Sequence, residues 1–509
     1  MPDKQIPLDF AAGIQRDGTQ LDSKQYLDGL WTRFDNGRPR KMGGYKRITN
    51  TLQGIPRELH AFPNDGITYV HVGEPQGIDV VTINADGTTG SVTDRTPVGF
   101  VSSTDNDWQI DATYDGAGTT TVVVAHAAPN LSSISSATER PYYVGDIIDT
   151  AVLTEVSGSD VAGGVVCLQP FTFRYGHDGF IGWSDINLPG TLASGAAGDA
   201  RIAATKIVRG LSLRGSSTGP AGLFWSLDSL IRASYVGGSA IWQFDTLSSD
   251  TSILSSNAIV EYDGIYYWAA LERFQMFNGV VREIPNDDNL NWFFTNLNYS
   301  QRQKVFAMKV PRFGEIWWCF PYGNATECTH ACILNVRSGL WYDTPLPSDL
   351  RSSALYAQVY PYPIMGSPTE DMTTSGYSLW QHETGTDKIV GASQLAVRAY
   401  HQTPWVTVAN LGDPTSEKGI SLSCVEPDIV QTGAMSVKIL QRANAKATEY
   451  ESDPVTIAET PALATDQIAS FKNTARQVSF VFQSNTSGGD YWMGKTQIHI
   501  EPADGRITQ

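Results

Sequence analysis

The sequence predicts an all-β protein: a β-propeller-like body of about six blades with an inserted β subdomain, followed by a C-terminal β-sandwich-like domain. Three observations point there. Glycine (47 residues) and aromatics (10%, with 13 Trp and 21 Tyr) are plentiful while charged residues make up only 17%, a profile of short strands and tight turns. Apolar–polar alternation recurs between turn signals spaced about 8 to 12 residues apart. Units of roughly 40 residues repeat a strand–turn–strand theme without repeating its letters, as blades do.

The chain of 509 residues is long enough for two or three domains and a substantial core. Its 53 acidic and 36 basic residues leave a net charge of −17, which excludes a broad basic face of the kind that grips nucleic-acid phosphates. The N-terminus lacks a basic segment leading into an apolar core, so no signal peptide is expected. No apolar run approaches the roughly 20 residues of a membrane-spanning helix, so no membrane-spanning segment is expected either. Five cysteines, an odd number scattered in a long chain, suit reduced thiols and assembly in a cytoplasm.

Residues 1–50 read as an extended N-terminal arm. "RFDNGRPRKMGGYKRI" concentrates Arg33, Arg38, Arg40, Lys41, Lys46 and Arg47 in an otherwise acidic protein. Such a run is either a solvated loop or a docking segment for an acidic neighbouring subunit. Residues 51–395 read as the propeller-like domain. "GITYVHVG" and "GIDVVTINADGTTGSVTDRTP" alternate, with Asp86-Gly87 as a hairpin turn. Residues 100–160, rich in Ser, Thr, Gly and Ala, read as the inserted β subdomain. The hairpin rhythm then resumes and brings aromatics to strand ends: Trp183, Trp225, Trp242, Trp268, Trp317, Trp341 and Trp380. These tryptophans are expected to pack between neighbouring sheets. A helical stretch around Asn289 to Gln303 interrupts the pattern, and residues 396–509 alternate cleanly as a separate β domain with a Ser-Gly-Gly-Asp turn.

"ECTHACILNVRSGLWYDT" raises the question of a metal site. Cys328, His330 and Cys332 would share one face of a strand, but a structural zinc site wants four ligands in two close pairs, and no second pair lies nearby. Buried cysteine behaves as a small hydrophobe, and Arg337-Ser338-Gly339 supplies a hairpin loop with Gly where positive φ is needed. The structural reading is preferred, with no metal. His382-Glu383 lacks the second His of a zincin motif, and neither a G-x-S-x-G elbow nor a phosphate-binding Gly-Lys-Ser/Thr loop occurs. No residues converge on a reaction class. No catalytic residue and no cofactor are therefore expected.

"IVEYDGIYYWAALERFQMFNGVVREIPN", "LNYSQRQKVFAMKVPRFGEIWWCFPYGNATEC" and "ILNVRSGLWYDT" resemble the propeller region of tail nozzle (hub, or tail-tube) proteins of short-tailed, podovirus-like bacteriophages. "DGTQLDSKQYLDGLWTRFDNGRPRKMGGYKRI" and "FRYGHDGFIGWSDINLP" resemble the N-terminal part of that group, and "MSVKILQRANA" and "SNTSGGDYWMGKTQIHI" its C-terminal domain. The likeness covers most of the chain outside about 100–160 and the terminal tail. It implies a non-enzymatic structural component of the virion tail, assembled in the bacterial host cytoplasm. It further implies a homo-hexameric ring below the portal and the head-to-tail adaptor protein, contacts with other tail proteins (fibre, spike or needle), and double-stranded DNA passing through the lumen without specific binding. A net negative wall suits that passage, because it repels phosphate. The basic arm would then dock on an acidic adaptor. The main competing expectation is a glycan-binding or glycan-cleaving β-propeller tail protein, with an aromatic and carboxylate-lined pocket at the propeller axis.

Overall fold

A computed structural model describes residues 4–503 apart from 86, 105, 117, 119, 129–138, 215–218, 409–410, 412–418 and 460–466. The chain is built mainly from antiparallel sheets; Ala11–Ile14 with Gln25–Tyr26, and Tyr45–Leu52 with Asp387–Val390, pair parallel. Seven of the sheets follow one another along the sequence: six are four-strand meanders, and the seventh is a six-stranded sheet that takes in a distant segment. Their first strands are Glu58–Asn64, Asp107–Asp115, Gly164–Leu168, Ile207–Ser212, Ile259–Tyr262, Phe306–Val310 and Ser353–Leu355. Consecutive first strands touch at every junction except that of the fourth and fifth sheets, and Ser353–Leu355 returns to touch Glu58–Asn64. The fourth and fifth sheets meet through Trp225 and Trp268, whose rings lie 5.6 Å apart in a T-shaped pair. The body is thus a ring of sheets around an axis.

Six units and one insertion were expected; the structure has seven sheets because the 100–160 stretch is itself one of them. Asp107–Asp115, Thr120–Ala128, Tyr142–Asp146 and Thr154–Glu155 form the second sheet. Its Ser- and Thr-rich composition disguises strands whose inner faces, Trp108, Ile110, Val123 and Ala125, are fully apolar and buried.

The seventh sheet closes the ring with a borrowed strand. Ile364–Asp371 and Gly376–His382 are followed not by the next segment but by Tyr45–Leu52, antiparallel to Gly376–His382. The fourth strand of the last sheet thus comes from the region before the first one, and Asp387–Val390 and Ser393–Ala396 continue the sheet beyond it. Unpaired sheet edges are costly, and this strand covers that of Gly376–His382 while tying the two ends of the ring together.

Asp65-Gly66 (φ +48°, +79°) and Asp263-Gly264 (φ +52°, +79°) are two-residue hairpin loops of the kind that needs both residues left-handed. The expected turn at Asp86-Gly87 falls partly on position 86, outside the described residues. The loop after His330–Asn335 is four residues long, one more than expected, and ends on Gly339 at φ +70°. The helical interruption is real: Leu290–Asn296 is α-helical and Tyr299–Lys304 is 3₁₀, between the fifth and sixth sheets.

The C-terminal β domain is a sandwich of two sheets, and strands from residues 4–41 are woven into both. One sheet orders Ala469–Ala475, Gly419–Thr432, Asp490–Ala503, Arg38–Lys41 and Thr32–Asp35, with Lys4–Leu8 also on Asp490–Ala503. The other orders Asp28–Leu30, Ala399–Gln402, Gln477–Ser484, Met435–Arg442 and Tyr450–Glu451. Their inner faces meet through Leu422, Val425, Val437, Ile439, Phe480 and Ile498. The same core runs on into the sixth and seventh sheets, where Trp31 packs edge-on against Trp317 at 5.9 Å and Phe34 against Tyr342 at 5.5 Å. The stretch expected as an extended arm is therefore folded, and it fastens the sandwich to the ring.

Candidate functional site

The first strands of all seven sheets enclose a cavity of about 330 Å³ on the axis. Period-two alternation sends every second residue of each strand toward it: Glu58 and His60 from the first sheet, Gln109 and Asp111 from the second, Arg209 from the fourth, Glu261 from the fifth and Lys309 from the sixth. Tyr266 and Tyr356 add aromatic surface.

The charges in this cavity compensate each other. Arg209 lies 3.3 Å from Glu58 and donates to the Asn257 side-chain oxygen at 3.1 Å. Lys309 lies 3.1 Å and Arg214 3.8 Å from Glu261. Arg57 makes a two-pronged contact with Glu327 at 2.8 and 2.7 Å, and Lys304 joins it at 2.8 Å. The Tyr266 hydroxyl donates to the Ser212 carbonyl at 2.6 Å and accepts from the Arg214 amide at 3.1 Å. Burial pushes the Glu58 carboxyl up to about 7, with Arg209 opposing. The same burial raises Asp107 against its Ser256 hydrogen bond and lowers His60. Such an arrangement can hold protons and orient a small polar molecule, but each cation is already matched to a carboxylate.

The tryptophans singled out in the sequence lie in the apolar cores. Trp225 and Trp268 join the fourth and fifth sheets; Trp242 sits 4.7 Å from Phe173 of the third; Trp341 stacks on Trp318 at 5.8 Å. Trp380 packs on Tyr45 of the borrowed strand, Trp317 on Trp31, and Trp183 on Phe173 and Phe244. Several also pin a loop by their indole N–H: Trp183 to the Ala196 carbonyl, Trp268 to Ser252 and Trp341 to Pro285.

The basic residues of the N-terminal segment do not act together. Arg33 is 1% exposed and sits between two carboxylates, 2.8 Å from Glu315 and 2.6 Å from Glu383. Lys41 is buried and donates to the Gly489 carbonyl at 2.6 Å. Neither can present charge to another molecule, which removes both from the expected docking set. The reason is that strand pairing with the sandwich turns them inward, toward acceptors far away in sequence. Arg38, Arg40 and Arg47 are half-buried and paired with Asp9, Asp35 and Asp371, while Lys46 is exposed.

His330 and Cys332 share a face of their strand, but Cys328 does not join them. The strand begins at His330, so alternation does not extend back to Cys328. The Cys328 thiol donates to the Lys304 carbonyl, His330 stacks on Tyr322 at 4.3 Å, and Cys332 donates to the Asn289 side-chain oxygen. Burial raises both thiols. What the sequence did not reveal is the axial pairing: Glu58 and Arg209 are 151 positions apart, and no local pattern links them.

The chain matches no protein-family model and no curated protein.

Proposed function

We propose that this chain is a structural subunit of a bacteriophage tail nozzle, a ring that extends the channel for genome exit below the portal and adaptor. The reading rests on its sequence resemblance, and the observation that supports it most is the state of the axis. A cavity of about 330 Å³ is at the small-molecule end of binding sites. It is far too narrow for a duplex whose major groove alone is about 12 Å wide. A conduit for DNA would therefore lie between subunits around a common axis, with each ring of sheets forming part of the wall. Six copies at −17 each would make that wall repel phosphate, so that a passing duplex does not stick. The folded N-terminal segment, anchored on both sides, suits a body that carries load.

Docking to the adaptor then falls to Arg38, Arg40, Lys46 and Arg47, the basic residues of the segment that keep some exposure. Mass photometry and negative-stain images of the purified protein, alone and with its adaptor, test the proposal. Sixfold rings with the adaptor support it. A chain that stays monomeric at every ratio, and that fails to label the tail of the particle by immunogold, refutes it.

A second reading, a glycan-binding or glycan-cleaving tail protein, draws on the carboxyls and tyrosines of the axial cavity. A glycan array followed by a turnover assay on any ligand found separates the two.

A further inference from the structure

Outside the ring of sheets, three metal-ligating side chains of different chemistry come together on the outer face of the sandwich. The donor atoms of Cys424, Glu426 and His499 all lie within 4.8 Å of one another. The local fold explains the meeting. Along Gly419–Thr432, Leu422 pairs with Ile500 but Cys424 pairs with His499, so one residue is extra at Ser423. A bulge of this kind re-aims the side chains that follow it. Leu422 and Val425 both point into the core, which leaves Cys424 and Glu426 on the outer face. Ile498 and Ile500 point inward from the partner strand, so His499 faces outward directly across from Cys424. Without the bulge, alternation would have buried this thiol, as Cys167, Cys319, Cys328 and Cys332 are buried.

We infer that Cys424, Glu426 and His499 bind a divalent transition cation of the zinc class. The donor set of one sulfur, one imidazole nitrogen and one carboxylate oxygen suits a borderline cation and does not suit calcium or magnesium, which take oxygen ligands. Bond lengths of about 2.0–2.3 Å to a tetrahedral ion place donors roughly 3.3–3.6 Å apart. The imidazole Nε2 is already 3.2 Å from a Glu426 oxygen, so closure needs the thiol and at most a small rotation of the pair. Gln5 of the N-terminal strand donates to the other Glu426 oxygen at 3.3 Å and orients the carboxylate, as partners beyond the ligands do in metal sites. Binding releases the thiol proton to solvent and leaves the fourth position open to water. The ion would clip the two longest strands of the sandwich together at the edge where the N-terminal strand joins.

The test uses the full-length protein, stripped of metal and kept reduced without thiol reagents, titrated with cobalt(II). The expected result is one cobalt per chain with a thiolate-to-cobalt charge-transfer band in the near ultraviolet, displaced by zinc. Cys424→Ser abolishes the band, and His499→Gln and Glu426→Gln each weaken binding by about tenfold or more. Cys328→Ser and Cys332→Ser leave it unchanged. Circular dichroism of each variant confirms that it is folded, as expected for residues outside the core. A folded wild-type chain that shows no band, or a band that survives Cys424→Ser, overturns the assignment.

Discussion

Replacing Arg33 with methionine probes the joint between sandwich and ring. The guanidinium is fully enclosed, 2.8 Å from Glu315 and held by both oxygens of Glu383 at 2.6 and 2.7 Å, with its face 3.7 Å from the Phe313 ring. Glu315 also accepts from the Tyr342 hydroxyl at 2.7 Å and the Trp317 indole at 2.9 Å. Burial raises the Glu315 carboxyl, and Arg33 is the charge that opposes this. Removing the cation leaves two carboxylates facing each other in a dry interface, a loss of about 3–5 kcal/mol. Unfolding entropy is about 2.1 cal/mol/K per residue, or ~1.1 kcal/mol/K for this chain, so the melting temperature should fall by about 3–5 °C. Differential scanning calorimetry at neutral pH measures it. The triple variant Arg33→Met, Glu315→Gln, Glu383→Gln should recover part of the loss, because no unpaired charge remains. A shift below about 1 °C for Arg33→Met, or a triple variant worse than the single one, would refute the reasoning.

Trp225→Ala empties a fully buried site between the fourth and fifth sheets and should cost about 3–5 kcal/mol in denaturant titrations. Trp225→Phe should cost clearly less, since the indole N–H makes no hydrogen bond among the described residues and most of the apolar area is kept. Glu58 titrates near 7 in the fold against 4.5 as its ordinary value. Its contribution to stability is therefore complete below 4.5 and is lost as pH rises through about 7, by about 3 kcal/mol; Glu58→Gln should remove that part of the pH dependence of the melting temperature. Burial drives His401 the other way, down to about 3, so its neutral ring favours the fold above 6.5 and progressively less as pH falls toward 3. His401→Gln should flatten the acid limb of the same curve. Charge reversal at Arg38 and Lys46 should weaken adaptor binding and reduce its salt dependence; surface plasmon resonance at two ionic strengths that showed no change would place the docking face elsewhere.

Local signals were legible in the sequence and long-range ones were not. Asp263-Gly264 announces a hairpin because only a few residue types accept two left-handed positions in succession, and Trp225, Trp242, Trp268 and Trp341 mark inter-sheet packing because large apolar rings at strand ends need a neighbouring sheet. The 100–160 stretch misleads because none of its serines lies in a described strand, while Trp108, Ile110 and Val123 carry the core. The Tyr45–Leu52 strand offers no hint that its partner is Gly376–His382, since pairing across such a gap depends on ring closure rather than on either sequence. Arg33 and Lys41 look like a solvated charge run; their acceptors, Glu315, Glu383 and Gly489, are brought to them only by the tertiary fold. Cys424 is the subtlest case, because one extra residue at Ser423 decides which face it takes.

A cryo-electron microscopy reconstruction of the intact particle tests the central claim most directly. Six copies are expected around the tail axis, each ring of seven sheets set off that axis, with DNA density running between the copies through an acidic lumen. Density for the chain away from the exit channel, or a channel that threads the axial cavity of a single copy, would contradict it.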